Sequence, residues 1–80
     1  MITEQDARAN ISENIQDILG ALGWNPRKLV IRSRVPQNTV YRVVRGESIP
    51  DVVHLKNIAD ALGVTVERLL ENPENFRKVG

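Results

Sequence analysis

The sequence contains no cysteine, which excludes disulfide bonds and metal sites built from thiolates. It has one histidine, His54, and a single histidine without cysteine cannot complete a zinc site. Only three residues are aromatic, so aliphatic side chains must fill the core. We therefore expect no bound metal and no cofactor.

Long apolar segments are also missing. No apolar run approaches the roughly 20 residues that a membrane-spanning helix requires, so we expect no membrane contact. The first stretch, MITEQDARAN, carries acids and lacks the apolar segment of a secretory signal. These features predict a cytoplasmic protein.

Sequence patterns typical of enzymes do not occur. Ser33 has no histidine near it in sequence and no glycine elbow around it. There is no P-loop and no glycine-rich cradle for phosphate. Asp51 and Asp60 are explained by helix capping and by an exposed position. The sequence therefore predicts that the protein is not an enzyme.

The positive charge is concentrated in one part of the chain. Eighty residues predict a single domain, and its net charge is only +1. Six of the eleven basic residues lie within positions 27–45, which contain no acid, whereas the other five share the remaining chain with ten acids. This distribution is typical of nucleic-acid-binding domains. The alternative is an ordinary solvated helix face.

Apolar residues recur at intervals of three and four, which predicts an all-α fold. The first helix begins after Thr3, where Asp6 can complete a capping box, and ends at Gly23. Its apolar stripe comprises Ala7, Ile11, Ile15, Ile18, Leu19 and Leu22. A second helix is predicted from the N-cap Asn25 to Ser33.

Three further helices are predicted beyond residue 34. One begins near Pro36 and runs to Arg45, because a residue before proline avoids the α conformation. Asp51 can open a fourth helix, and Thr65 can cap a short fifth helix that Pro73 stops. Residues 74–80 show no pattern long enough to assign.

The helix predicted after Pro36 has an apolar side and a polar side. On a helical wheel, Val40, Val43 and Val44 point inward, whereas Asn38, Tyr41, Arg42 and Arg45 point outward. Gln37 occupies the first turn. Glutamine and asparagine can pair both edges of adenine, and arginine can pair O6 and N7 of guanine. Two short helices separated by three or four residues form a helix-turn-helix.

Two longer motifs extend this pattern. Residues 39–46 read Thr-Val-Tyr-Arg-Val-Val-Arg-Gly, and Pro50 follows. Residues 59–70 read ADALGVTVERLL. With these motifs, residues 11–72 resemble the Cro/repressor-type helix-turn-helix family. The resemblance implies a compact five-helix lambda-repressor-like domain over residues 1–72 and a C-terminal tail over residues 73–80.

The sequence departs from the family pattern at several positions. Arg34 replaces the usual glycine of the turn, which costs on the order of 1 kcal/mol if the left-handed conformation is kept. Pro36 replaces a capping serine or threonine, and Val30 replaces a small alanine. Leu19 and Val44 stand where many members bury an arginine–glutamate pair, so an apolar contact is expected there.

The resemblance assigns base contacts to Gln37, Asn38 and Arg42, with Thr39 and Tyr41 as auxiliaries. The alternative is that Asn38 and Thr39 only stabilise the first helical turn. Five residues are expected to contact phosphates: Arg27, Lys28, Arg34, Arg45 and Ser48. Arg32 is expected to face away from the DNA.

The implied function is that of a sequence-specific transcriptional regulator, a repressor of phage or bacterial type, associated with the nucleoid. The alternatives are an antitoxin that represses its own operon and a protein-interaction module that has lost DNA binding. A homodimer on a near-palindromic duplex site is expected, because one helix reads only a few base pairs. Its interface is predicted to include Leu69, Leu70, Phe76 and Val79. Alternatively, Phe76 covers the core of its own subunit.

Overall fold

The computed structural model describes residues 1–77, which contain helices and no strand. The helices in this range are α1 (Glu4–Leu22), α2 (Pro26–Ser33), α3 (Gln37–Val44), α4 (Val52–Leu62), α5 (Val66–Leu70) and α6 (Glu74–Arg77). The all-α prediction and the first five helices are confirmed.

The sixth helix is a single turn within the segment that was predicted to be an unassigned tail. The Asn72 side chain accepts a hydrogen bond of 3.0 Å from the Glu74 N–H, and the Phe76 N–H donates to the Pro73 carbonyl at 3.0 Å. Four residues are too few to display helical periodicity, so the sequence pattern does not predict this turn.

Side-chain caps fix the beginnings of four helices. In each case an oxygen of the residue before the helix accepts a hydrogen bond from the backbone N–H three residues later. These caps are Thr3 for α1, Asn25 for α2, Asp51 for α4 and Thr65 for α5. At α3, by contrast, Pro36 makes no side-chain capping bond. The predicted caps are therefore confirmed, including the capping box between Thr3 and Asp6.

The core lies where α1 packs against α3 and α5, and where α2 packs against α3 and α4. It is almost entirely aliphatic, as the shortage of aromatic residues predicts. Its buried apolar members are Ile11, Ile15, Leu19, Leu29, Val35, Val40, Val43, Leu55, Ile58, Ala59, Leu62 and Leu69. The predicted inward position of Leu22 is wrong, because α1 ends there and the side chain is exposed.

Two asparagines of α1 bind the end of the short α5. Nδ2 of the fully buried Asn14 lies 2.8–3.2 Å from the carbonyl oxygens of Arg68, Leu69 and Glu71. Its Oδ1 accepts a hydrogen bond of 3.1 Å from the Arg68 guanidinium. Nδ2 of Asn10 donates to the Leu70 carbonyl at 3.1 Å. Because the last carbonyls of a helix have no partner within it, these side chains satisfy groups that burial would otherwise penalise.

The short α6 is attached to α1 by charge. The Arg77 guanidinium donates to Asp17 at 2.7 Å and to Glu13 and Glu74 at 3.1 Å. Hydrogen bonds with Asp17 and then Glu74 hold the pKa of Arg77 above its ordinary value. The helix α6 thus lies on the side of α1 that also faces α5.

Arg34 adopts the left-handed conformation expected of the family's glycine, with φ at 60°. We expect Arg34→Gly to raise the free energy of unfolding by about 1 kcal/mol, because a side chain is strained in this conformation. Urea unfolding followed by circular dichroism would measure the gain.

Arg32→Gly is the matched control, since Arg32 lies in the last turn of α2. That substitution should lower the free energy of unfolding by about 1 kcal/mol, because glycine is a poor helix former. A loss of stability in both variants would contradict the account of strain at Arg34.

Candidate nucleic-acid interface

The turn between α2 and α3 is fixed by buried residues. Val35 is buried in the core between the left-handed Arg34 and the N-cap Pro36. The buried Ser33 accepts a hydrogen bond of 3.2 Å from the Val35 N–H. The relative orientation of α2 and α3 is therefore set by core packing, as a helix-turn-helix requires.

The two sides of α3 differ as predicted. Val40 and Val43 are buried in the core, while Gln37, Asn38 and Arg42 are exposed. The helix is thus held by its apolar side and presents two amides and a guanidinium outward. Such groups can form paired hydrogen bonds with base edges.

The two auxiliary residues of α3 are less accessible. Thr39 and Tyr41 are both half-buried. Within residues 1–77, neither Asn38 nor Thr39 forms a side-chain capping bond to the first turn of α3.

A groove joins the start of α2 to the outer side of α3. Its volume is about 380 Å³, and its lining is largely apolar but includes two arginines. The lining residues are Asn25, Pro26, Arg27, Tyr41, Val44 and Arg45. The structure therefore brings the predicted phosphate contacts Arg27 and Arg45 together beside the outward side of α3.

Lys28 lies elsewhere on α2. Its Nζ is 5.2 Å from the centroid of the Trp24 ring, and the Arg32 guanidinium carbon is 5.6 Å from the same centroid. Lys28 and Arg32 thus flank one half-buried indole, an arrangement that favours cation–π attraction. Lys28 and Arg32 are four residues apart on α2, a spacing that places them on one side of the helix, but Trp24 precedes the helix and its position between them could not be predicted from spacing.

The remaining predicted phosphate contacts border α3. Arg34 is exposed in the turn before it, and Ser48 is half-buried in the loop that follows it. Arg45 forms an ion pair with Glu47, with 2.6 Å between Nε and Oε2. This pair was not predicted from the sequence, because Glu47 lies just outside the acid-free stretch.

Neutral hydrogen bonds attach the end of α3 to α1. The Val44 carbonyl accepts hydrogen bonds from the Ser12 hydroxyl and, at 2.8 Å, from Nε2 of Gln16. Leu19 is buried, and Val44 is half-buried against the same core. Apolar side chains and hydrogen bonds from neutral side chains to a main-chain carbonyl therefore occupy the region where the resemblance places an arginine–glutamate pair.

The predicted dimer interface requires one correction. Leu69 is 0 % exposed, because it fills the core of its own subunit, so it has no surface to offer a partner. Leu70 is half-buried. Phe76 is 42 % exposed, and the Arg68 guanidinium carbon lies 3.3 Å from its ring centroid. Val79 lies outside the described residues.

Residues 1–77 contain no group of histidine, cysteine or acidic side chains placed to hold a metal ion. Within the same range, every helix is too short or too polar to span a bilayer.

Comparison with known proteins supports this architecture. The helix-turn-helix family model matches residues 15–69. A similar solved structure is that of a hypothetical transcription factor, NHTF, from Neisseria. It is 26% identical, with a TM-score of 0.81, and the alignment covers 95% of this chain and 87% of that one. No curated protein sequence matches this chain significantly.

Proposed function

This chain belongs to the Cro/repressor-type helix-turn-helix family of DNA-binding transcriptional regulators, and we propose that it is a sequence-specific repressor. In this proposal, α3 enters the major groove of double-stranded DNA. A DNA-binding domain of this kind can act as a repressor simply by remaining bound at a promoter and occluding it. The observation that carries the proposal is the outward side of α3, where three exposed side chains suited to base edges stand on a helix anchored in the core.

Base recognition is assigned to Gln37, Asn38 and Arg42. Arg42 follows Asn38 by four residues, so these two share one side of α3, and Gln37 lies beside them at the N-terminal end of the helix. The N-terminal part of a recognition helix commonly approaches the bases most closely. The half-buried Thr39 and Tyr41 would contribute at the edge of this surface.

Phosphate contacts are assigned to residues around this surface. Arg27 and Arg45 share the groove between α2 and α3, and Arg34 is exposed in the turn between these helices. Ser48 follows α3, and Lys28 would need to reach outward from the Trp24 ring. Such contacts fix the orientation of the protein on the duplex without reading its sequence.

The bound form is proposed to be a homodimer on a near-palindromic site. A single α3 specifies only a few base pairs, which is too little information among the competing sites of a genome. Two copies about 34 Å apart, one turn of DNA, would double that information. Leu70 and Phe76 remain candidates for the interface.

Selection of binding sites from random duplex DNA tests these proposals directly. The selected sequence should contain two half-sites related by a two-fold axis. On that sequence, Arg42→Ala and Gln37→Ala should each weaken binding by about 1–3 kcal/mol and relax the preference at particular base pairs. Fluorescence anisotropy on the selected duplex and its single-base variants would measure both effects.

Arg27→Ala is the control for a loss of charge without a loss of base recognition. It should weaken binding to selected and random duplexes to the same extent, because phosphate is common to both. If Arg42→Ala behaved in the same way as Arg27→Ala, Arg42 would be a phosphate contact. If no sequence were enriched, sequence-specific binding would be ruled out.

A further inference from the structure

Glu47, the acid that follows α3, lies where it can affect the binding of DNA, and this inference rests on the proposed function. The Glu47 carboxylate lies 2.6 Å from Nε of Arg45. Arg45 lines the groove that also contains Arg27 and Tyr41. A negative charge thus stands at the edge of the surface to which a polyanion is proposed to bind.

The turn after α3 holds Glu47 in this position. Gly46 has a φ of 75°, and its N–H donates to the Val43 carbonyl at 3.0 Å. The Glu47 N–H donates to the Arg42 carbonyl at 2.9 Å. A Cβ atom on Gly46 would lie 3.6 Å from the Ser12 side chain, so the turn is close to α1. The backbone of Glu47 is therefore part of the helix end.

We propose that Glu47 is an internal competitor for DNA phosphate at Arg45 and lowers the affinity for every duplex. An exposed ion pair is weak in water, so a phosphate can replace the carboxylate. The displaced carboxylate would remain near the phosphate and repel it. Non-specific binding is almost entirely electrostatic, so Glu47 limits the time that the protein spends on random DNA.

Glu47→Gln tests this role. The variant should bind both the selected and a random duplex about fivefold more tightly at about 50 mM salt. The plot of log affinity against log salt should also become steeper by about 0.9 for each subunit. In the variant, Arg45 binds a phosphate without first giving up the Glu47 carboxylate, so each contact adds to the release of counterions. Anisotropy titrations at several salt concentrations would give both quantities, and circular dichroism would verify the fold.

Asp60→Asn is the matched control, because it makes the same change in net charge. The Lys56–Asp60 pair has an N–O distance of 2.7 Å and side-chain exposures of 63% and 57%, compared with 60% and 53% for Arg45 and Glu47. It lies on α4, which packs against α2 and α5. Affinity should change little in this variant. An equal gain from both substitutions would show an effect of net charge and overturn the proposal.

The pair itself is tested in an Arg45→Ala background, where the gain from Glu47→Gln should fall by at least about half. An undiminished gain would overturn competition at Arg45. If the wild-type chain bound duplexes but did not respond to Glu47→Gln, only this inference would fail. If it bound no duplex at any salt concentration, the proposed function would fail as well.

Discussion

Duplex affinity should fall about 150-fold when the salt concentration rises from about 50 mM to about 200 mM. In the proposed dimer, Arg27 and Arg34 of two subunits would neutralise about four phosphates, whereas Arg45 exchanges the Glu47 carboxylate for a phosphate and adds little to the release of counterions. The counterions released from those four phosphates give a slope of about −3.6 in a plot of log affinity against log salt. Anisotropy titrations with the selected duplex would measure this slope, which should be similar for random DNA.

Two substitutions separate phosphate contacts from general electrostatic attraction. Arg27→Ala should reduce the steepness by about 2, since each subunit loses one contact. Lys56→Ala removes an equally charged side chain from α4 and should leave the slope unchanged. An affinity that stayed constant between the two salt concentrations would show that the basic surface is not used for binding.

Asn14→Ala should lower the free energy of unfolding by about 3 kcal/mol. The asparagine is fully buried, and its amide lies within hydrogen-bonding distance of three carbonyl oxygens at the end of α5. Its removal leaves those oxygens and the Arg68 guanidinium without this partner, because alanine offers no polar atom. Small domains are stable by only about 5–15 kcal/mol, so the loss would be a large fraction of the total.

Asn10→Ala provides the comparison on the same helix. Asn10 is half-buried and donates one hydrogen bond, to the Leu70 carbonyl. Its loss should cost about 1 kcal/mol. Urea unfolding of both variants would test the difference. Equal losses would mean that water replaces the Asn14 amide at α5, contrary to the role described for this residue.

Much of the fold could be predicted because its signals are local. A capping oxygen and the N–H that it accepts from are three residues apart, as at Asn25 and Lys28. Gly63 ends α4 because a left-handed residue is needed there, with φ at 74°. The inward and outward sides of α3 follow from the spacing of its valines. Such features depend on neighbours within one or two helical turns.

The features that were missed depend on contacts between distant residues. Asn14 and Leu69 are 55 positions apart, so periodicity could show that Asn14 lies near an apolar stripe but not which carbonyl it binds. Leu69 could be recognised as apolar, but its burial in its own subunit follows from the packing of α5 on α1. The pairing of Arg77 with Asp17 likewise joins residues 60 positions apart.

The attachment of α3 to α1 bears on how new DNA specificities could be built on this chain. Ser12 and Gln16 bind a main-chain oxygen of Val44, an atom that every amino acid provides. Neither hydrogen bond involves Gln37, Asn38 or Arg42. The orientation of α3 is therefore independent of the side chains proposed to read DNA. A library that varies those three positions would sample different operators on one unchanged scaffold.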